Sequence, residues 1–324
     1  KKQKKESYIK RGEIMFRYLI RRTLSTIVTL FIIVAVTFVL MHSVPGSPFN
    51  QDQGKGTSEA VIENLNARYH LDEPLHVQFF YYITSLLKGD LGISMKQSDT
   101  SVNELLSRGF PVSAELGTYA ILLAILAGIT LGVIAALRHN GIIDYIAMTF
   151  AVIGISVPSF ILATFLIQQV AVNWGILPVA TWQSWKHMIL PTIALATGPT
   201  AIIARLTRSS MLEVLTQDYI QTAHAKGLHP MRIIVVHALK NALLPIITIL
   251  GTLVAGVLTG SFVIEKIFAI PGMGKYFVES INNRDYSVIM GTTIFYSVFL
   301  ILMLLIVDLL YSWLDPRIKL HHQK

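Results

Sequence analysis

Apolar positions along the chain gather into six long, near-continuous runs separated by polar stretches. A bilayer core of about 30 Å needs about 20 helical residues to cross it, and the runs predict spans at about 20–42, 112–137, 143–172, 188–204, 242–264 and 288–313. Pro45-Gly46-Ser47-Pro48 stops the first run, because Pro cannot continue a helix. The third holds Gly154-Ile155-Ser156-Val157-Pro158-Ser159-Phe160, and Pro158 predicts a kink or an interruption. Such a break is tolerated in a membrane only where protein or a water-filled cavity satisfies the freed carbonyls. The bend is therefore expected to face the bundle or a pathway, a purely structural kink being the alternative. The fourth run, with Pro191 early and Gly198-Pro199 late, is the least regular. The fifth opens at Pro245 and carries Gly251, Ala255, Gly256 and Gly260, small residues that let helices approach closely in lipid.

The polar stretches carry patterns of their own. Within 45–111, residues 58–69 and 74–88 have helical character, the second with Leu75, Phe79, Tyr82, Ile83, Leu86 and Leu87 spaced for one face. This predicts an amphipathic helix lying on the membrane or over the bundle, or else a small solvated insert packed on itself. Gly89-Asp90-Leu91-Gly92 reads as a turn. Trp174, Trp182 and Trp185 are placed as interfacial anchors. The longest interruption between late spans runs from Arg205 to Asn241 and is helix-forming on either side of one break, Gly227-Leu228-His229-Pro230. Gly supplies a permissive backbone and Pro can open the next helix at its first turn. Helix, tight turn, helix predicts a projecting knob suited to docking.

Charge gives these segments sides. Arg205, Arg208, Lys226, Arg232 and Lys240 crowd the 205–241 loop against Glu213 and Asp218 alone. Of the 27 basic residues, eighteen fall in segments assigned inside, against six acids, and nine fall outside, against eleven. Positive charge beside membrane spans marks the cytoplasmic face, so both termini and the 205–241 loop are expected inside. The net charge of +8 and pI near 9.5 are thus an orientation signal and no sign of a nucleic-acid partner. Only 14% of residues are charged and 53% are apolar, against an ordinary charged fraction of about 25%. Such a chain has too little polar surface for a soluble globule. The organisation expected is a leader at 1–19, span 1 at 20–42, an external segment at 43–111, a core at 112–314 and a tail at 315–324. Residues 1–14 are either a cytoplasmic extension or a segment upstream of a start at Met15. Arg17, Arg21 and Arg22 before an apolar run can mimic a secretory signal, but no small-x-small site follows, so the first span is expected to stay uncleaved.

Chemistry of its own is sparse. Gly272-x-Gly274-Lys275 lacks the spacing of a phosphate loop and has no following Ser or Thr. His224, His229 and His237 share the loop without a carboxylate at ligand spacing. The absence of Cys excludes disulfides and thiolate metal sites, and no Ser-His-Asp set or paired carboxylates stand out. Asp308, inside the last run, is a functional candidate by default, but it lies seven residues before Asp315 and is expected to act as a structural pin. Glu115 is read likewise. No strong internal repeat suggests an inverted-repeat transporter.

The run 218–228, DYIQTAHAKGL, followed by 237–245, HALKNALLP, resembles the EAA loop of ABC importer permeases, nearest to their oligopeptide/dipeptide/nickel branch. Ala223 and Gly227 keep the spacing of that motif, while Gln221 and Thr222 replace its first two residues. The strings PGSPF (45–49), LDEPLHVQF (71–79), KGDLGIS (88–94), IEKIFAIPGMGKYF (264–277) and NRDYSV (283–288) resemble the same branch. The resemblance covers Met15 to Lys319. It implies an all-α polytopic membrane protein with six transmembrane helices, both termini cytoplasmic, and the type I ABC importer permease fold. It further implies a homologous second permease, two cytoplasmic ATPase subunits that bind ATP and Mg, and an external binding lipoprotein or periplasmic protein that delivers the cargo. No cofactor or metal belongs to this chain, and it has no ATPase site. Gln221, Thr222, Ala223, Gly227, Leu228 and Arg232 would dock the ATPase, and Ser156, Pro158, Ser159 and Gly256 would line the path. Peptides are the favoured cargo, with nickel or a metal chelate as the alternative, and a self-contained ion-coupled carrier as a further one.

Overall fold

The apolar runs are helical, but the helices do not end where the hydropathy ends. The computed structural model describes residues 2–43, 48–49, 58–97 and 99–314, with side-chain surroundings from residue 21 onward except 259–260 and 307–314. Among them the helices are α1 (Lys2–Ser43), α2 (Glu59–Arg68), α3 (Leu75–Leu87), α4 (Val102–Leu137), α5 (Ile142–Ser156) and α6 (Ser159–Leu166). A π-helical turn at Ile167–Asn173 extends α6, and α7 (Trp185–Leu215) and α8 (Asp218–Ala225) follow. Next come α9 (Pro230–Arg232), a second π segment at Ile233–Leu239, α10 (Lys240–Ala242), α11 (Leu244–Ile267), α12 (Met273–Asn283) and α13 (Tyr286–Leu314). Among the described residues the β structure is a single bridge, Ile93 to Ser101.

Among the described residues five helical stretches are long and apolar enough to cross a membrane, and α5 with the α6 segment makes a sixth, bent by 104° at Val157-Pro158. The break predicted at Pro158 is thus a full interruption. The Pro45–Ser47 stop, the Asp308 side chain, the surroundings of Gly260 and the Asp315-Pro316-Arg317 ending lie outside the described residues.

Two boundaries differ from expectation. The second span was expected at 112, yet α4 starts at Val102 and carries Pro111 inside it. The Ser101 hydroxyl accepts the Glu104 N–H at 3.1 Å, an N-cap in the Ser-x-x-Glu pattern of a capping box. That cap starts the helix in polar sequence, well before the apolar run. The fourth span was expected to end at 204, yet α7 continues to Leu215. Its later residues keep apolar contacts, with Met211 buried and Leu212, Val214 and Leu215 packed beside it, so the helix persists where the polarity changes.

The chain divides into two compact units. The first, residues 1–105 with 279–301, has a core of Val34, Phe38 and Met41 from α1 and Tyr286, Met290 and Ile294 from α13. Phe79, Tyr82, Ile83 and Leu86 of α3 pack on it, so four of the six residues of the predicted apolar face are turned to the spans, whereas Leu75 and Leu87 at the two ends of the helix are exposed. Asp285 caps α13 by accepting the Val288 N–H at 3.3 Å. It also accepts the Ser94 hydroxyl and the Met95 N–H, the latter at 3.1 Å. One buried carboxylate thereby ties the NRDYSV string to the end of KGDLGIS.

The second unit, residues 106–278 with 302–324, is built on Leu116, Ala120 and Ala124 of α4, Leu190, Ala194 and Ile203 of α7, and Ile246, Val257 and Ile264 of α11. A Cβ on Gly132 would stand 2.5 Å from the Thr207 Cβ and 2.6 Å from the Ala204 carbonyl. Glycine there lets α4 and α7 approach backbone to backbone. The Gly272-x-Gly274 string is filled from within: the Met273 N–H donates to Ser113 Oγ at 2.8 Å and the Gly274 N–H to Glu265 Oε2 at 2.7 Å. Two of its amides are thus taken by this chain's own side chains. Trp174 and Trp185 are exposed, as interfacial anchors should be, whereas Trp182 packs against the core.

Candidate functional site

Two places collect the residues singled out from the sequence, and both lie in the second unit. The first is the knob between α7 and α11. Thr216 and Gln217 end α7, and α8 follows at once. At its C-terminus the Gly227 N–H donates to the His224 carbonyl at 2.9 Å and the Leu228 N–H to the Ala223 carbonyl at 3.3 Å. This 5→2 and 6→1 pair is a Schellman motif, which needs a left-handed residue after the cap. Gly227 has φ +73°, and the space where its Cβ would sit is open. Of the two reasons for a glycine here, unusual dihedrals and close approach, the structure selects the dihedrals. Pro230 then opens the next helix at its first turn.

The knob has a core of its own. Met211, Ile220, Ala223, Ile233, Ala238 and Ala242 are buried together, with Ala136 of α4 beneath them. Leu228 packs against this cluster, which is the apolar contact that commonly accompanies a Schellman cap. The six residues expected to dock a partner therefore divide. Gln221, Thr222 and Arg232 are exposed, whereas Ala223, 7% exposed, and Leu228 turn inward. The small size of Ala223 fits the packing inside the knob, and Ala223 and Leu228 shape its outer surface from within. The outward surface also presents Tyr219, Met231, Val235 and Val236, which the sequence analysis did not single out. Asn241 donates to the Tyr219 hydroxyl at 3.0 Å and so ties the end of the knob to its beginning.

Arg208, one of the charges that crowd the 205–241 loop, holds Asp144 at the start of α5 with its guanidinium, with Nε to Oδ1 at 2.6 Å and Nη2 to Oδ2 at 2.7 Å. The Asn140 N–H adds a bond to Asp144 Oδ2 at 3.0 Å. Residues 64 apart carry no spacing signal, and nothing in the sequence pairs them.

The second place is a cleft of about 330 Å³ at the bend between α5 and α6. Pro158 and Ser159 line it together with Gly154, Thr197, Pro199, Thr252 and Gly256. Three of the four expected path residues are thus brought together; Ser156 is exposed but does not line the cleft. Gly256 had been read among residues that permit close helix packing, but nothing lies within 4 Å of where its Cβ would be. Pro158 has no N–H to give the Gly154 carbonyl, so the helical bond expected there is missing at the wall of the cleft. Hydroxyls of Thr197 and Thr252 complete a lining with polar groups and no ionisable side chain.

Comparison with known proteins agrees with this architecture. The family model described as "Binding-protein-dependent transport system inner membrane component" matches residues 128–320, and its N-terminal companion matches residues 15–116. The chain is 66% identical over 307 residues to the dipeptide transport system permease protein DppB of Bacillus subtilis (strain 168), covering 95% of this chain and 99% of that protein. It is 45% identical over 307 residues to the oligopeptide transport system permease protein OppB of Haemophilus influenzae, covering 94% and 100%. Among solved structures, the MetNI methionine ABC transporter in its inward-facing conformation matches with a TM-score of 0.55 at 21% identity, over 65% of this chain and 96% of that one. At that identity the match speaks for the fold, which is that of an ABC importer permease. With a family model spanning residues 128–320 and relatives matched along nearly their whole length, this chain belongs to the binding-protein-dependent transport system inner membrane component family.

Proposed function

We propose that the chain is one permease subunit of an ATP-driven importer of short peptides and forms half of the translocation path. The observation that carries this reading is the 66% identity to a dipeptide permease across 95% of the chain. The knob is the cytoplasmic coupling element. Its outward residues Gln221, Thr222 and Arg232, with Tyr219, Met231 and Val235 beside them, enter a groove of an ATPase subunit, and the Schellman turn at Gly227 sets their angle. ATP and Mg are bound in two such ATPase subunits. A homologous second permease supplies the other half of the path, and an external binding protein hands over the cargo. Movement of the knob is passed up α7, whose single helix joins knob and bundle, to the cleft at Pro158. There Ser159 and Thr252 offer hydroxyls, and the bend offers main-chain carbonyls, to a peptide backbone that must shed water as it passes. Thr197 offers its hydroxyl oxygen as an acceptor, its proton being given to the Ile193 carbonyl at 2.7 Å.

The test is purification of the chain from its own membranes in mild detergent, followed by identification of what accompanies it and uptake of labelled dipeptides into vesicles. A second permease and ATPase subunits in the preparation, with uptake that needs ATP inside, are the expected result. Uptake that survives ATP depletion and collapses with ion gradients would sink the proposal in favour of a self-contained carrier.

A further inference from the structure

We propose that α3 is an interfacial membrane helix, seated at the headgroup–acyl boundary with Phe80 and Leu87 among the acyl chains of the lipid. No charged residue occurs between Leu75 and Leu87; the charges stand at the two ends, Asp72 and Glu73 before the helix, Lys88 and Asp90 after it. The inner face of α3 is already occupied, by the core of α1 and α13. Its outer face is mostly apolar too, with His76 exposed only in the first turn, at the end of the helix where Asp72 and Glu73 stand. Phe80 and Leu87, 66% and 82% exposed, are seven residues and thus about two turns apart on one stripe. Between them, the Thr84 hydroxyl donates to the Tyr81 carbonyl at 2.8 Å, so it does not need water.

Depth points to lipid as the occupant. The Phe79 ring lies 5.2 Å from Phe38 and 6.1 Å from Phe31. The span of α1 comprises 23 residues, Arg21–Ser43, or roughly 34 Å at 1.5 Å per residue, close to the thickness of the hydrocarbon core. Phe38 and Phe31 lie about 8 and 18 Å from its Ser43 end on the same rise. A helix wedged against both of them lies beside the span and not above it. The exposed side chains of α1 near that level, Phe31, Ile32, Val36 and Val39, form the surface that acyl chains cover, and the outer face of α3 continues it. At the Ser43 end, His42 Nε2 meets Gln78 Oε1 at 3.1 Å, a polar contact suited to the headgroup level.

The chain contains no Cys, so single thiols can be placed without removing others. F80C, L87C and, as a control on the exposed face of α2, E63C would carry an environment-sensitive dye in the full chain, in vesicles with and without brominated acyl chains. F80C and L87C are expected to show blue-shifted emission that brominated lipid quenches and aqueous iodide does not, with E63C reversed. Iodide quenching at both α3 sites would overturn the proposal in favour of a solvated insert. Shielding from both quenchers would overturn it in favour of a covering protein. Photoactivatable phospholipid with the unaltered chain gives the same decision without substitutions: adducts within 75–87 are expected, and their absence beside adducts on α1 would count against the lipid.

Discussion

Arg208 and Asp144 form a two-pronged ion pair that joins the extension of α7 to the first turn of α5, at 2.6 and 2.7 Å. Asp144 is 2% exposed, while the Arg208 side chain keeps 24% of its surface. Breaking a buried pair on one side costs about 3–5 kcal/mol, because the remaining charge loses its partner; the exposure of Arg208 lowers that figure here. R208A is expected to reduce the melting temperature and the membrane abundance of the chain, and R208K to do so partially, since lysine cannot make the fork. Replacing both residues by leucine should recover part of the loss. Additive loss in the double variant would show that the pair is not a unit.

Gly227 pays no steric penalty for φ +73°, whereas another L-residue in the left-handed region pays about 1–2 kcal/mol. G227V should therefore leave insertion and abundance near normal but distort the α8 exit, and co-purification with the ATPase should fall with uptake. G227N, which tolerates the left-handed region better, should retain most of both. Full uptake by G227V at normal abundance would remove Gly227 from the coupling role.

Gly256 and Gly132 make opposite predictions. Open space surrounds the Cβ position of Gly256, so G256L should assemble normally and lower peptide uptake by filling the cleft. Unchanged uptake would exclude this cleft from the path.

At Gly132 even one methyl group collides with Thr207 and the Ala204 carbonyl. Overpacking of this kind costs about 1–3 kcal/mol, more than the roughly 1 kcal/mol that alanine gains over glycine in helix propensity. G132A is thus expected to melt at a lower temperature than the unaltered chain. A higher melting temperature would mean that α4 and α7 can separate at little cost.

The spans, the interruption at Pro158 and the turn at Gly227 were legible because each is set by local chemistry: apolar length, a missing N–H, a missing Cβ. The start of α4 was legible in principle, since Ser101-Val102-Asn103-Glu104 spells a capping box, but the boundary was set where the apolar run begins. The end of α7 was hidden because a helix leaving a bilayer changes its polarity without breaking its hydrogen bonds. The inward aim of Ala223 and the grip of Arg208 on Asp144 depend on which helix lies beside which, and local pattern does not encode that. The shared cleft of Pro158, Ser159 and Gly256 joins residues almost a hundred positions apart; small residues and the bend singled them out, but only the packing of α5, α6, α7 and α11 brings them to one surface.

The cleft wall holds glycine, proline, threonine, serine and aliphatic residues, and none that ionises. Such a wall exerts nearly the same field on a cationic, an anionic or a neutral traveller, and it has no side chain positioned to read a cargo's sequence. On the proposed path it would therefore act as a corridor indifferent to identity, and discrimination among peptides would be completed before the cargo enters, by whatever delivers it.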